Sequence, residues 1–212
     1  MTASRKEFGR TCLEYRNFEG LVARNSGSGA NFASFVVIVN KITSEVQATE
    51  RDILLIDEVL NDARKALAQG QAGVAALLAS PEETIAHGHN TSQETGDLTD
   101  HAEMVLLHQA GRKLQEMDEQ VRHSLSLYVT LEPCLMCSAA LSYVGIKRIV
   151  YSALAEDANL EEMIVRDLTL PKINPQLVRG PFILVPGVRR AEGLALLRQM
   201  NKAAGAKSNL KT

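Results

Sequence analysis

With 212 residues, 45% of them hydrophobic and 23% charged, the chain has apolar side chains enough for one sizeable core, and a disordered composition is excluded. Its 23 basic and 25 acidic residues leave a net charge of −2, which argues against binding nucleic acid by bulk charge while leaving a local patch open. Three cysteines are too few for a disulfide framework in a chain this long, so a reducing, cytoplasmic setting is expected.

Residues 1–48 read as an N-terminal appendage, and residues 49–212 as one domain. The first 31 residues mix charges, aromatics and the stretch Asn25-Ser26-Gly27-Ser28-Gly29, which reads as a flexible joint. The apolar run from Phe32 to Val39 is far shorter than the roughly 20 residues that span a bilayer. It also lies behind a long polar stretch, so neither a membrane helix nor a signal peptide is expected, and a buried strand or arm is.

From Thr49 the pattern turns helical. Ile53, Ile56, Leu60, Ala63 and Leu67 recur along one face up to the stop signal Gln69-Gly70. Gly73 to Ala79 and Thr84 to Asn90 then read as two strands of a hairpin joined by the turn Ser80-Pro81-Glu82-Glu83. A polar loop from Thr91 to Asp100 precedes a helix from Ala102 to Met117, whose apolar face is Val105, Leu106, Ala110 and Leu114. Leu125 to Leu131 is rich in β-formers and reads as a buried strand, followed by a helix from about Cys134 to Tyr143. Lys147 to Tyr151 is a further strand, Asp157 to Leu168 is expected to be helical, and Pro171 to Pro181 an irregular loop. Phe182 to Val185 is the last expected strand, and Arg190 to Ala204 a closing helix. Such alternation of helices and strands indicates an α/β domain with a largely parallel sheet.

Two short segments carry chemistry, His101-Ala102-Glu103 and Pro133-Cys134-Leu135-Met136-Cys137, and each falls where a loop enters a helix. Cys134 and Cys137, three residues apart, share one face of the first helical turn, where unpaired N–H groups and the helix dipole stabilise thiolates. Taken alone, a Cys-x-x-Cys pair also suits a redox dithiol or half of a structural zinc knuckle. With His101 it gives three ligands, and zinc held by three keeps a fourth tetrahedral position for water, the mark of a catalytic site. Glu103, two residues after His101, is then placed to relay protons without ligating. Attack of water on an amidine-like carbon, with loss of ammonia, suits these parts.

The H-x-E and P-C-x-x-C segments form the signature of zinc nucleobase deaminases. The chain resembles the cytidine and deoxycytidylate deaminase superfamily, in the branch that holds guanine deaminase, fungal-type cytosine deaminase and bacterial tRNA adenosine deaminase. Besides these two segments, the resemblance rests on Gly88-His89-Asn90, Leu98 to Glu103, Tyr128 to Cys134 and Arg148-Ile149-Val150-Tyr151, within about Arg51 to Lys202. It implies a three-layer α/β/α sandwich around a five-stranded mixed sheet, whose first hairpin is antiparallel and whose later strands are parallel. It also implies Zn2+ held by His101, Cys134 and Cys137, with Glu103 as proton shuttle and a homodimer as the assembly. Asn90, the N–H of Ala102 and the carbonyl of Glu132 are implied to contact substrate, with His89, Glu161 and Glu162 as further candidates. Leu98 and Asp100 depart from the pattern, where relatives commonly carry proline and a small residue.

The expected substrate is a free nucleobase or nucleoside of purine metabolism, with guanine first. An adenosine in tRNA is the less favoured substrate, and a non-catalytic zinc-bound scaffold the reading from a different class. From Arg189 to Thr212, six basic residues stand against Glu192 alone, the kind of patch a tRNA enzyme sets against phosphates or a plain chain end uses for solubility. Few aromatics, and no tryptophan, are present to stack a flipped base.

Overall fold

In the computed structural model the chain divides into two units, Met1–Glu45 and Val46–Thr212. The described residues are 46–158 and 165–209, all in the second unit. The run from Phe32 to Val39, and all of residues 1–45, lie outside them, as do Glu161 and Glu162.

Helix α1 (Glu50–Ala68) starts at a reciprocal cap. The Thr49 hydroxyl accepts from the Asp52 N–H, and the Asp52 carboxylate accepts from the Thr49 N–H, so orphan donors at the helix start are satisfied locally. Strands β1 (Ala75–Ala79) and β2 (Thr84–His89) form the antiparallel hairpin, and β3 (Ser126–Leu131) pairs antiparallel with the other edge of β1. Strands β4 (Arg148–Ala153) and β5 (Ile183–Val185) continue parallel to β3, giving the order β2-β1-β3-β4-β5.

Strand alternation splits the core in two. Ala75, Leu77 and Ala79 of β1, Tyr128 of β3 and Val150 of β4 pack with Ile56, Val59, Leu60 and Ala63 of α1 and with Leu196. Ala76, Leu78, Leu127, Val129, Ile149 and Tyr151 face the opposite side and pack with Leu106, Ala110, Leu114 and Leu141. The helices on that side are α3 (Ala102–Glu116) and α5 (Leu135–Val144), whereas Leu196 belongs to α7 (Arg190–Asn209), which shares the α1 side. Three layers result, as a two-faced apolar sheet requires.

The fold corrects several sequence expectations. Within the polar loop, α2 (Ser92–Thr95) makes one helical turn capped by Gly96 in the left-handed region, and α4 (Glu119–Ser124) fills the interval before β3. The helix expected from Asp157 to Leu168 is absent in its described parts. Ala155–Asp157 is a single 3₁₀ turn, and residues 165–168 form a bend and turn with Asp167 at φ 58°. Acids crowded at the start of that stretch, Glu156 and Asp157, are drawn outward to Arg190 rather than arranged along a helix face. The segment read as an irregular loop contains α6 (Leu170–Ile173) and a 3₁₀ turn (Asn174–Gln176), each with proline in its first turn, where a missing N–H costs no bond.

Asp52 ties the layers together beneath the sheet. It is 1% exposed, yet its carboxylate accepts two 2.8 Å bonds from Arg148 of β4 and one of 3.1 Å from the Tyr128 hydroxyl of β3. Burial works to raise its pKa, but the bonds from Arg148 and Thr49 outweigh it and hold the carboxyl well below its ordinary range.

Candidate active site

The site lies beyond the carboxyl ends of the parallel strands, where ligands of open α/β sheets commonly bind. Strand β3 ends at Leu131, and after Glu132 and Pro133 the chain enters α5 with Cys134 as N-cap and Cys137 in the first turn. Pro133 thus precedes the cap instead of sitting inside the first turn. Ser138 closes this entrance, its hydroxyl donating to the Pro133 carbonyl at 3.2 Å and its N–H to the Cys134 carbonyl at 2.8 Å. His101 is the N-cap of α3, so two helix N-termini, each with its positive dipole end, converge on one spot.

His101 Nδ1 lies 3.7 Å from the sulfur of Cys134 and 3.7 Å from that of Cys137, and the three donor atoms all fall within 4.8 Å of one another. A tetrahedral zinc with ordinary Zn–S and Zn–N bonds places sulfur and nitrogen about 3.6 Å apart, so the donor set fits that ion by distance and by chemistry. Cys134 is pulled down to about 4, first by the hydrogen bond from the Cys137 thiol and then by His101, whereas that same bond and burial push Cys137 up. The hydrogen bond to Cys134 raises His101. A metal held here takes the place of the thiol protons.

Glu103 stands in the first turn of α3 and is 4% exposed. Burial pushes its carboxyl up to about 7, and the Cys134 thiolate adds to the rise. Such a group exchanges protons near neutrality, the property wanted of a shuttle.

A cavity of about 530 Å³ opens in front of this cluster. Asn90, His101, Glu103, Glu132, Cys134 and Thr169 supply its polar lining, while Val74, Leu98, Leu131, Leu135, Val165 and Met200 supply apolar walls. Asn90, just past β2, accepts from the N–H of Ser92 at 3.1 Å and its hydroxyl at 2.7 Å. These two bonds fix which end of the amide is the acceptor, and among the described residues no acceptor is bonded to its nitrogen. Ala102 is fully buried beside His101. His89 is half-buried and does not line the cavity.

One acidic loop reaches the cavity through Leu98. The loop from Thr91 to Asp100 carries Glu94, Asp97 and Asp100 with no Lys or Arg. Of the basic stretch noted in the sequence, Arg189 is paired with Asp57, and Arg190 with Glu156 and Asp157. Sequence reasoning missed the Glu132 carboxylate and Thr169, because they join the site through residues 23 to 38 positions away and follow no period.

Residues 49–153 match the cytidine and deoxycytidylate deaminase zinc-binding region. The tRNA-specific adenosine deaminase of Aquifex aeolicus is 39% identical over 95 residues, 45% of this chain and 61% of that protein. The chain therefore spans about three fifths of that relative. The tRNA-specific adenosine deaminase of Agrobacterium fabrum is 31% identical over 140 residues, 66% of this chain and 87% of that protein. A structure solved in complex with 8-azaguanine is 25% identical, with a TM-score of 0.58 and coverage of 71% of this chain and 84% of that one. No helix among the described residues is long and apolar enough to cross a membrane. The matched segment runs from the N-cap of α1 to the end of β4 and holds all three metal donors. With that and the relation to most of the Agrobacterium protein, the chain belongs to the cytidine and deoxycytidylate deaminase family of zinc-dependent hydrolases.

Proposed function

We propose that this protein is a zinc-dependent hydrolytic deaminase of a free purine base or its nucleoside, with guanine the first candidate. One observation carries the chemistry: the Glu103 carboxyl is buried beside a His/Cys/Cys cluster at the head of a cavity large enough for a bicyclic base. In this reading His101, Cys134 and Cys137 hold the zinc, which when bound supplies the Lewis acidity that makes water a nucleophile at neutral pH. Glu103 takes a proton from that water and delivers it to the departing nitrogen. A C–O bond forms at the amidine carbon, the C–N bond breaks, and ammonia leaves. The Asn90 amide nitrogen orients the ring by donating to it, and the Ala102 N–H and Glu132 carbonyl meet its polar edge. Placement of Glu161 and Glu162 as a second acidic contact belongs to the same proposal. Leu135 and Leu131 offer apolar surface for the faces of the base.

The acidic loop that reaches the cavity and the pairing of Arg189 and Arg190 favour a small ligand over a polyphosphate chain. Binding of 8-azaguanine in the structural neighbour supports guanine. A second reading, deamination of adenosine in tRNA, is favoured by the two tRNA-specific relatives. Ammonia release by zinc-loaded protein from guanine, adenine, cytosine, their nucleosides and tRNA, with Glu103→Ala as control, separates the two. Turnover of a free base with little dependence on salt is the expected result. Activity confined to tRNA and falling steeply with salt would replace it by the second reading, and equal rates in the Glu103→Ala control would overturn the mechanism.

A further inference from the structure

The Glu132 carboxylate is 8% exposed, lies next to the entrance of α5, and forms no ion pair with Lys or Arg among the described residues. Its Oε1 accepts from the Leu170 N–H at 2.7 Å and its Oε2 from the Ala155 N–H at 3.1 Å. Both donors are first residues of helical turns, Leu170 of α6 and Ala155 of the 3₁₀ turn, and such N–H groups have no partner within their own turn. One carboxylate therefore caps two turns that are separated in sequence by Ala158 to Thr169. Ala155, Val165, Thr169 and Leu170 line the same cavity as His101 and Cys134. The Glu132 backbone is itself fixed, its N–H donating to the Ala153 carbonyl at 2.9 Å.

From this arrangement we propose that the Glu132 side chain is a positioning residue that straps the cavity wall at Ala155 and Leu170 to the connection that leads from β3 to Cys134, and so sets how tightly substrate is held. The role rests on the deaminase reading only for its kinetic consequence. The strap itself is independent of any substrate. In Glu132→Gln an NH₂ group faces an N–H donor, and one strap is lost. In Ala155→Pro a donor is removed while the carboxylate is untouched, at the first position of a turn, where proline fits, after Leu154 with φ −90° and ψ 161°, a conformation that precedes proline readily.

Hydrogen exchange on the zinc-loaded full chain tests the strap directly. The amides of Ala155 and Leu170 should exchange slowly in the parent, and the one that faces the new NH₂ group about tenfold or more faster in Glu132→Gln, with β1 and β3 unchanged. Steady-state kinetics on whichever substrate the panel identifies should show KM raised about tenfold in Glu132→Gln, less in Ala155→Pro, with kcat within about twofold and zinc still stoichiometric. Equal exchange of the two amides in parent and variant would overturn the strap even if no substrate were found. A fall in kcat at constant KM, or loss of zinc, would overturn the positioning role and move Glu132 into the catalytic machinery.

Discussion

Gly88→Ala is a one-carbon change that reaches the site through backbone packing alone. Gly88 lies on β2 opposite Ala76, and a Cβ built there falls 2.7 Å from the Ala102 carbonyl oxygen and 3.0 Å from both the nitrogen and Cβ of Leu106. Its φ lies outside the left-handed region, so the obstacle is contact and not backbone strain. A comfortable C···O approach is about 3.3 Å, so α3 must retreat by about 0.6 Å at the turn that carries His101 and Glu103. Overpacking of this kind costs about 1–3 kcal/mol, which in a domain of this size lowers Tm by about 2–12 °C. A misplacement near 1 Å costs a reaction about 100-fold, so a shift of about half that should cost about tenfold in kcat/KM. Ammonia release and thermal melting followed by circular dichroism measure the two quantities on one preparation. Parental kcat/KM together with a Tm within 1 °C would show that the packing of β2 on α3 does not register the site.

Other perturbations act on single links. Glu103→Gln should lower turnover by at least about 100-fold while zinc, counted by plasma emission, stays at one per chain. Cys137→Ala should lose zinc and melt at lower temperature in the same step, and stoichiometric metal in that variant would mean the ligand set is wrong. Arg148→Met leaves the buried Asp52 carboxylate without its guanidinium and should cost about 3–5 kcal/mol in urea unfolding, much of it recovered by adding Asp52→Leu. Because Asp52 is held below its unfolded pKa, its contribution is complete above about pH 4 and drains away as pH falls toward the folded value. The acid limb of stability should therefore be flatter in Asp52→Leu/Arg148→Met than in the parent, and parallel limbs would remove Asp52 from the account.

Helical periodicity found α1 and α3 because each buries one face, while the strands were marked by apolar runs, β-formers and the Ser80-Pro81-Glu82-Glu83 turn. The Thr49 cap and the Gln69-Gly70 stop set the bounds of α1 to within a residue. The helix α4 escaped notice because its six residues include no buried side chain, so no apolar repeat marks it. The described parts of Asp157 to Leu168 form turns instead of the expected helix, and Glu156 and Asp157 reach Arg190, a partner 34 and 33 residues away that no local pattern marks. In the site, short-range spacing placed His101, Glu103, Cys134 and Cys137, whose geometry is set by two helix entrances. Asn90 came only through resemblance. The Asp52, Tyr128, Arg148 network and the Glu132 strap span 23 to 96 residues, and only the folded sheet brings their partners together.

The convergence of two helix starts on His101, Cys134 and Cys137 also makes the site a rivet between separately wound halves of the domain. His101 enters from the hairpin side and the cysteines from the parallel side, 33 and 36 residues further along the chain. Removing the ion should therefore loosen the joint between α3 and α5, and a protease should cut the segments around it sooner with a chelator present than without one.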